Sequence, residues 1–269
     1  MRGIFVLAVL IVLVSSCLCY AEKGELGGKL DFSYVSSYLW RGFDAYAEGH
    51  SAIQPSIDLD LWGTGFGFKI WMSRAWSSGF ENDEWLDYTL YYHNNFFVEE
   101  KYSTNYVVGW VYYNYPDDPR EGSRSDPGSG DAQEVFASFS WPKLLPGGVV
   151  PSYTMVSYWP AVSNSNASDN AGWAHILGFR YGLEMPGILS DTSKQVFNLS
   201  MDIVYNDGVG PAGSTVDHDW SHAVFGVDTS FDLGHNLTFT PGVYYQSSWD
   251  DSVNDDDETW MKLSVSYKF

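Results

Sequence analysis

Beyond about residue 29, apolar and polar side chains alternate along the chain. In 259–269 the odd positions read Thr259, Met261, Leu263, Val265, Tyr267 and Phe269, and the even positions Trp260, Lys262, Ser264, Ser266 and Lys268. A period of two sends successive side chains to opposite faces of a strand. Ile53, Pro55, Ile57, Leu59 and Leu61 oppose Gln54, Ser56, Asp58 and Asp60; Leu86, Tyr88, Leu90 and Tyr92 oppose Asp87, Thr89, Tyr91 and His93. Leu177–Leu183, Phe197–Tyr205 and Leu237–Tyr245 repeat the pattern, with Val204 as an exception. It predicts twelve strands, over 29–40, 52–62, 65–75, 84–95, 103–115, 132–141, 149–158, 172–185, 195–205, 221–232, 236–247 and 258–269. Each has the length of a tilted membrane-crossing strand, ~9–11 residues or slightly more. No segment reads as a convincing amphipathic helix.

The connections separate by parity. Those after even strands are generally short, such as Gly63-Thr64 and Leu233–His235. Several of those after odd strands are long, acidic and rich in Gly, Ser and Asn, such as Pro116–Asp131, Trp159–Ala171, Asn206–Trp220 and Asp250–Asp257. Short turns alternating with long loops are expected of an up-and-down barrel with both termini on one side of a membrane. Aromatics near expected strand ends (Tyr38, Trp40, Trp62, Trp71, Trp85, Trp141, Trp159, Trp173, Trp249, Trp260) are read as interface girdles. A β-sandwich is the other all-β reading. It would have to solvate a fully polar second face on every strand, which disfavours it.

The start of the chain adds export. Arg2 precedes the apolar run Ile4–Val14, too short to span a bilayer and right for a signal peptide. Residues 1–21 are expected to be removed before Glu22, leaving 22–269 as the barrel. Val14-Ser15-Ser16-Cys17 also has the form of a lipobox, in which Cys17 would carry lipid; ordinary cleavage suits a barrel better.

Composition narrows the classes further. The 269 residues include 12 Trp, 19 Tyr and 16 Phe, and the formal charge is −20. So aromatic a chain is not disordered, and so acidic a chain lacks the basic stripe of a nucleic-acid binder. Two Cys make no disulfide framework or thiolate metal site.

The inward face carries the candidate chemistry. The alternation turns Asp31, Asp58, Asp60, Asp87, Glu134, Glu184, Asp202 and Asp228 inward, with Lys69, Arg180 and Lys262 against them. A ring of carboxylates raises the local concentration of cations. The expected activity is therefore a passive channel for small, cationic or neutral solutes. The bland alternative is a wall of salt bridges that closes the barrel. Twelve strands give a diameter of about 24 Å from ~4.8 Å spacing and ~40° tilt. Side chains reduce that to ~10 Å if no loop folds in. Arg41 ends the first strand and either pairs with lumen acids or snorkels at the interface.

Competing readings place the role elsewhere. Asp117–Asp131 and Asp250–Glu258 are acidic enough to attract divalent cations, but neither has a calcium-loop spacing, so solvated surface is preferred. His218 and His222 flank Asp219 and are read as incidental rather than as metal ligands. A lipid-modifying enzyme would need a nucleophile and base; His175 faces outward, but no recognisable Ser/His block accompanies it. No cofactor, no metal and no catalytic residue is expected. The expected partners are outer-membrane lipid, lipopolysaccharide, the barrel-assembly machinery and small solutes; the oligomeric state is open.

Two resemblances support the placement. Tyr267 and Phe269 close an amphipathic final strand, which resembles the C-terminal signal that assembly machinery reads in bacterial outer-membrane barrels. Phe32-Ser33-Tyr34-Val35-Ser36-Ser37-Tyr38-Leu39-Trp40-Arg41-Gly42 resembles the opening segment of the TorF-type putative outer-membrane porin family, whose function is largely undefined. Phe43-Asp44-Ala45 departs from the Ser-Gln-like pair usual there. The resemblance implies an outer-membrane barrel and supplies no substrate.

Overall fold

The computed structural model describes residues 24–46, 49–76, 84–116, 130–161, 171–188, 193–211 and 214–269. The expected signal segment and its cleavage site, and most of the acidic loop Asp117–Asp131, lie outside them. The alternating segments form strands β1 (Gly27–Val35), β2 (Leu39–Trp40), β3 (Phe43–Asp44), β4 (Ala52–Asp60), β5 (Phe66–Ala75), β6 (Trp85–Phe96), β7 (Thr104–Asn114) and β8 (Ala132–Ser140). There follow β9 (Val150–Pro160), β10 (Gly172–Pro186), β11 (Lys194–Asp207), β12 (His218–Thr229), β13 (Phe231–Gly234), β14 (Leu237–Ser248) and β15 (Glu258–Lys268). Among the described residues no helix is long and apolar enough to cross a membrane.

Each wall strand pairs antiparallel with its neighbours in sequence, and β15 returns to β1. β13 prolongs β12 past Ser230, since both pair with β14, so the wall is a closed twelve-stranded barrel. Closure satisfies every sheet edge, which a strand in hydrocarbon requires. The seam is finished by the last residue. Gly28 and Phe269 exchange two backbone hydrogen bonds of 3.0 Å, and the Phe269 ring lies against Gly28.

The two faces divide as the period of two demands. Leu30, Phe32, Leu90, Leu177, Val243, Leu263 and Val265 are exposed on the outer wall, an apolar band. Gln54, Ser73, Glu134, Gln246 and Ser264 are buried on the inner wall. At the end bearing the long loops, the inner wall changes character. There Ala52, Trp85, Val111, Tyr113, Ala132, Val156, Tyr158, Ala174 and Val204 are buried, a packed apolar core inside the barrel. The apparent exception Val204 is thus an inward residue at the level where the interior is apolar.

One strand ends earlier than its sequence pattern suggests. β1 stops at Val35 rather than continuing to 40, because the chain leaves the wall after Ser36. Tyr38 and Trp40 are therefore not girdle residues, nor are Trp71 and Trp85. All four turn inward and pack together: Tyr38 lies 5.5 Å from both Trp71 and Trp85, and Trp40 lies 5.5 Å from Trp85. Trp62, Trp173 and Trp249 remain exposed near strand ends, as an interface girdle requires.

Candidate functional site: the lumen and its inserted hairpin

The first loop folds into the barrel mouth as a hairpin. Leu39 pairs with Asp44 and Trp40 with Phe43, leaving Arg41 and Gly42 as a two-residue turn. Both have positive φ, 51° and 95°, the combination a type I′ hairpin turn needs. The tip spans the lumen. The Arg41 guanidinium donates to the Glu134 carboxylate on β8, and both side chains are largely buried. On the far side, the Gly42 carbonyl accepts from Gln246 Nε2 at 2.9 Å and Asn254 Nδ2 at 3.2 Å. Gly42 presses on His222 and Val253, with no space for a Cβ.

Aromatic rings anchor the hairpin. Trp40 packs on Phe43, Trp85, Tyr113 and Tyr158, with the Arg41 guanidinium 5.2 Å from its ring centre. Phe43 joins Val216 and Val253 from two other loops. Tyr46 donates to Ser73 Oγ on β5 at 3.1 Å. Burial opposes the Arg41 charge most strongly, but Glu134, Tyr113 and Tyr158 together outweigh it and hold the guanidinium above its ordinary pKa. The ~10 Å lumen expected without an inserted loop is therefore narrowed at this end.

Below the hairpin the inner wall is polar. Asp31 accepts hydrogen bonds of 2.6 Å from Ser33, Ser264 and Ser266. Asp58 accepts from Tyr91 at 2.7 Å, and Asp228 from Asn198 at 2.8 Å. Arg180 grips Asp202 through two bonds of 2.8 Å, and Lys194 pairs with Glu184 at 2.5 Å. Asp60 caps the Gly63 turn at 3.0 Å. Asp87 lies higher, near the hairpin, beside the buried Trp85. Lys69 and Lys262 share this inner face, as does Lys29, which is also inward by parity but escaped the sequence reading.

Inward aromatics in this half lie along the wall rather than across the space. The Tyr244 ring covers Gly226 and Gly242, and the Tyr91 ring covers Gly67. Tyr244 stacks on Trp260 at 5.5 Å with planes 17° apart. The glycines thus let large side chains occupy little of the lumen.

The remaining candidates have local partners. His175 faces outward, bonded to Tyr153 Oη at 2.7 Å. His218 pairs with Asp207, while His222 is buried beside Ser221 Oγ at 2.9 Å. Among the described residues, no group of three His, Cys, Asp or Glu is placed to hold a metal ion. Asp257 accepts from Tyr245 Oη at 2.6 Å and the Ser248 amide at 2.9 Å, so this acid braces its loop.

No family model matches the chain, and no curated protein does. Solved structures do. The KdgM porin aligns with a TM-score of 0.52 at 11% identity, covering 90% of this chain and 99% of that one. The NanC porin aligns at 0.51 and 10%, covering 90% and 100%. LpxR from Salmonella typhimurium aligns at 0.50 and 11%, covering 90% and 100%. The fold is that of the outer-membrane barrel porins. At such identities the likeness reaches the architecture alone. Because LpxR shares it with the two porins, the fold does not choose an activity.

Proposed function

We propose that the chain is an integral outer-membrane channel of porin type that passes small solutes, with its long loops outside and its termini in the periplasm. The observation that carries this reading is the lower half of the lumen. Its inner face is mostly polar, and the Tyr91 and Tyr244 rings are laid over glycines, an arrangement that keeps a water-filled path. The segment Phe32–Gly42 and its resemblance to the TorF-type putative porins fit the same reading. In that segment Arg41-Gly42 forms the tip of the inserted hairpin. The hairpin makes size the first filter. The carboxylate count alone suggested cationic or neutral solutes, but each acid below the hairpin is held by a donor on the wall, so charge preference needs its own argument.

A second reading is favoured by the packing around Trp40: a barrel closed at its loop end, with a binding or structural role outside. Planar-bilayer conductance of the refolded protein in KCl separates the two. Small steady channels in the native protein, enlarged when the hairpin is released, are expected. No current from either the native protein or a hairpin-released variant that still shows heat-modifiable barrel mobility overturns the channel reading.

A further inference from the structure

Trp260, Tyr244, Gly226, Ser200 and Arg180 are successive cross-strand partners on β15, β14, β12, β11 and β10, and form one row of the inner face below the hairpin. The next row, further from the hairpin, runs Lys262, Gly242, Asp228 and Asn198. The Tyr244 ring fills the space over both glycines. A Cβ on Gly226 would meet Ser200 Oγ at 2.5 Å and Tyr244 Cδ1 at 2.6 Å. One on Gly242 would meet Tyr244 Oη at 2.9 Å and Asp228 Cβ at 3.1 Å. The ring, the Ser200 hydroxyl and the Asp228 side chain are therefore packed side by side. Trp260 extends the surface, its ring 5.5 Å from that of Tyr244 and 17° from parallel.

The charged groups of these rows are matched. Arg180 is held by Asp202 through two bonds of 2.8 Å, and Asp228 accepts from Asn198 at 2.8 Å. Lys262 stands across Gly242 from Asp228. The neutral groups beside the rings are not: among the described residues, no hydrogen bond engages Ser200 Oγ, Tyr244 Oη or Trp260 Nε1. A ligand that suits them has a flat face of C–H bonds for the rings and a rim of uncharged hydroxyls for the free donors and acceptors. A pyranose with equatorial hydroxyls has that shape, since its axial C–H bonds point from its flat faces. Aromatic surface beside a few convergent polar groups is also the usual composition of a small-molecule site. We propose that the Trp260–Tyr244 platform, with Ser200, is a lumen site for a neutral pyranose sugar. The site names a solute class for the channel reading and rests on that reading. Selection at this level is by shape and hydroxyl pattern, not by the carboxylates that suggested cations.

The test does not depend on current. The whole barrel is labelled with 5-fluorotryptophan and refolded in lauryldimethylamine oxide micelles, which carry no sugar headgroup. The Trp260 fluorine signal is assigned through Trp260→Phe. Methyl β-D-glucopyranoside should shift it saturably, with half-saturation of order 10 mM because one face of the sugar stays in water. Sorbitol has the hydroxyls without the flat C–H face and should leave it in place. Tyr244→Leu, in a barrel that keeps its heat-modifiable mobility, should raise the half-saturation concentration about fivefold or more, and Ser200→Ala about twofold. An equal shift from sorbitol, tighter binding of methyl β-D-glucuronide, the same shift at the exposed Trp173 and Trp249, or no saturable change at Trp260 overturns the proposal. Saturable binding by a barrel that carries no current keeps the site and overturns the channel. Current without binding keeps the channel and overturns the site.

Discussion

Arg41, at the tip of the first loop, donates to Glu134 on β8, 93 positions further along the chain, and both side chains are largely buried. Removing one partner of a buried ion pair strands the other charge, at a cost of about 3–5 kcal/mol. Glu134→Gln should therefore lower the population of the docked hairpin by two orders of magnitude or more. The readout is trypsin cleavage between Arg41 and Gly42 in the folded barrel. The native protein should resist, Glu134→Gln should be cut, and the double variant Glu134→Gln, Arg41→Met should again hold Trp40 in a blue-shifted, buried environment. An unchanged cleavage rate in Glu134→Gln would show that the aromatic cage alone holds the hairpin.

Gly42 offers a second route to the same device without changing a charge. Its φ of 95° is costly for any side chain, about 1–2 kcal/mol, and a Cβ would meet His222 and Val253. Gly42→Val should leave the wall folded while displacing the tip. Single-channel conductance should rise severalfold over the native protein. A folded Gly42→Val barrel with native conductance would mean that the current never passed the hairpin.

In the lower lumen, the relation between Gly226 and Tyr244 sets the free cross-section. A Cβ on Gly226 would lie 2.6 Å from Tyr244 Cδ1, so Gly226→Ala must swing the ring off the wall and into the space. Conductance should fall, by about half if the ring enters a ~10 Å passage. Adding Tyr244→Ala should restore it. If Gly226→Ala reduces the current but Tyr244→Ala does not rescue it, the effect lies in the wall and not in the ring.

Much of this barrel is legible from sequence because one face of each strand meets lipid and the other does not, and a period of two reports that directly. Leu263, Val265 and Tyr267 against Lys262, Ser264 and Ser266 leave no choice of face. The hairpin was not legible for the same reason. Tyr38 and Trp40 continue the alternation of β1, so the pattern extends the strand past Val35, where the chain actually turns inward. The signal that could have located it is Arg41-Gly42 itself, a two-residue turn between Trp40 and Phe43. The inward Trp71 and Trp85 read as girdle residues because a tryptophan near a strand end is equally suited to a lipid interface and to a packed barrel mouth. Only the partner, supplied by a distant loop, distinguishes them.

Asp257 lies outside the wall strands and ties its loop to Tyr245 and Ser248. The Tyr245 hydroxyl and then the Ser248 amide hold its pKa below the ordinary carboxylate value of 3.8. A lowered folded pKa means that the contribution is complete above the unfolded value and is lost as pH falls through the folded one. The loop contact should therefore be constant from pH 8 down to about 5 and weaken only in acid below about 4. In a ¹³C carboxyl titration of the folded barrel, Asp257 should titrate below 3.8, and Tyr245→Phe should move the midpoint upward. A midpoint that Tyr245→Phe leaves in place would remove the phenol as the cause.

At the seam, Phe269 does two things that can be tested apart. Its backbone exchanges two hydrogen bonds with Gly28, and its ring covers that glycine on the outer wall. Deleting Phe269 removes both; Phe269→Ala keeps the hydrogen bonds and removes the ring. If the terminal aromatic acts mainly as the signal read during assembly, both variants should lose folded barrel in cells, while Phe269→Ala refolds into lipid vesicles nearly as completely as the native chain. If it acts mainly as a structural clasp, the two should separate in vitro, with the deletion refolding poorly and the alanine variant intermediate. The heat-modifiable fraction on gels, measured from cells and from vesicles, gives both comparisons. Native-level folding of the deletion in both settings would show that the wall closes without its last residue.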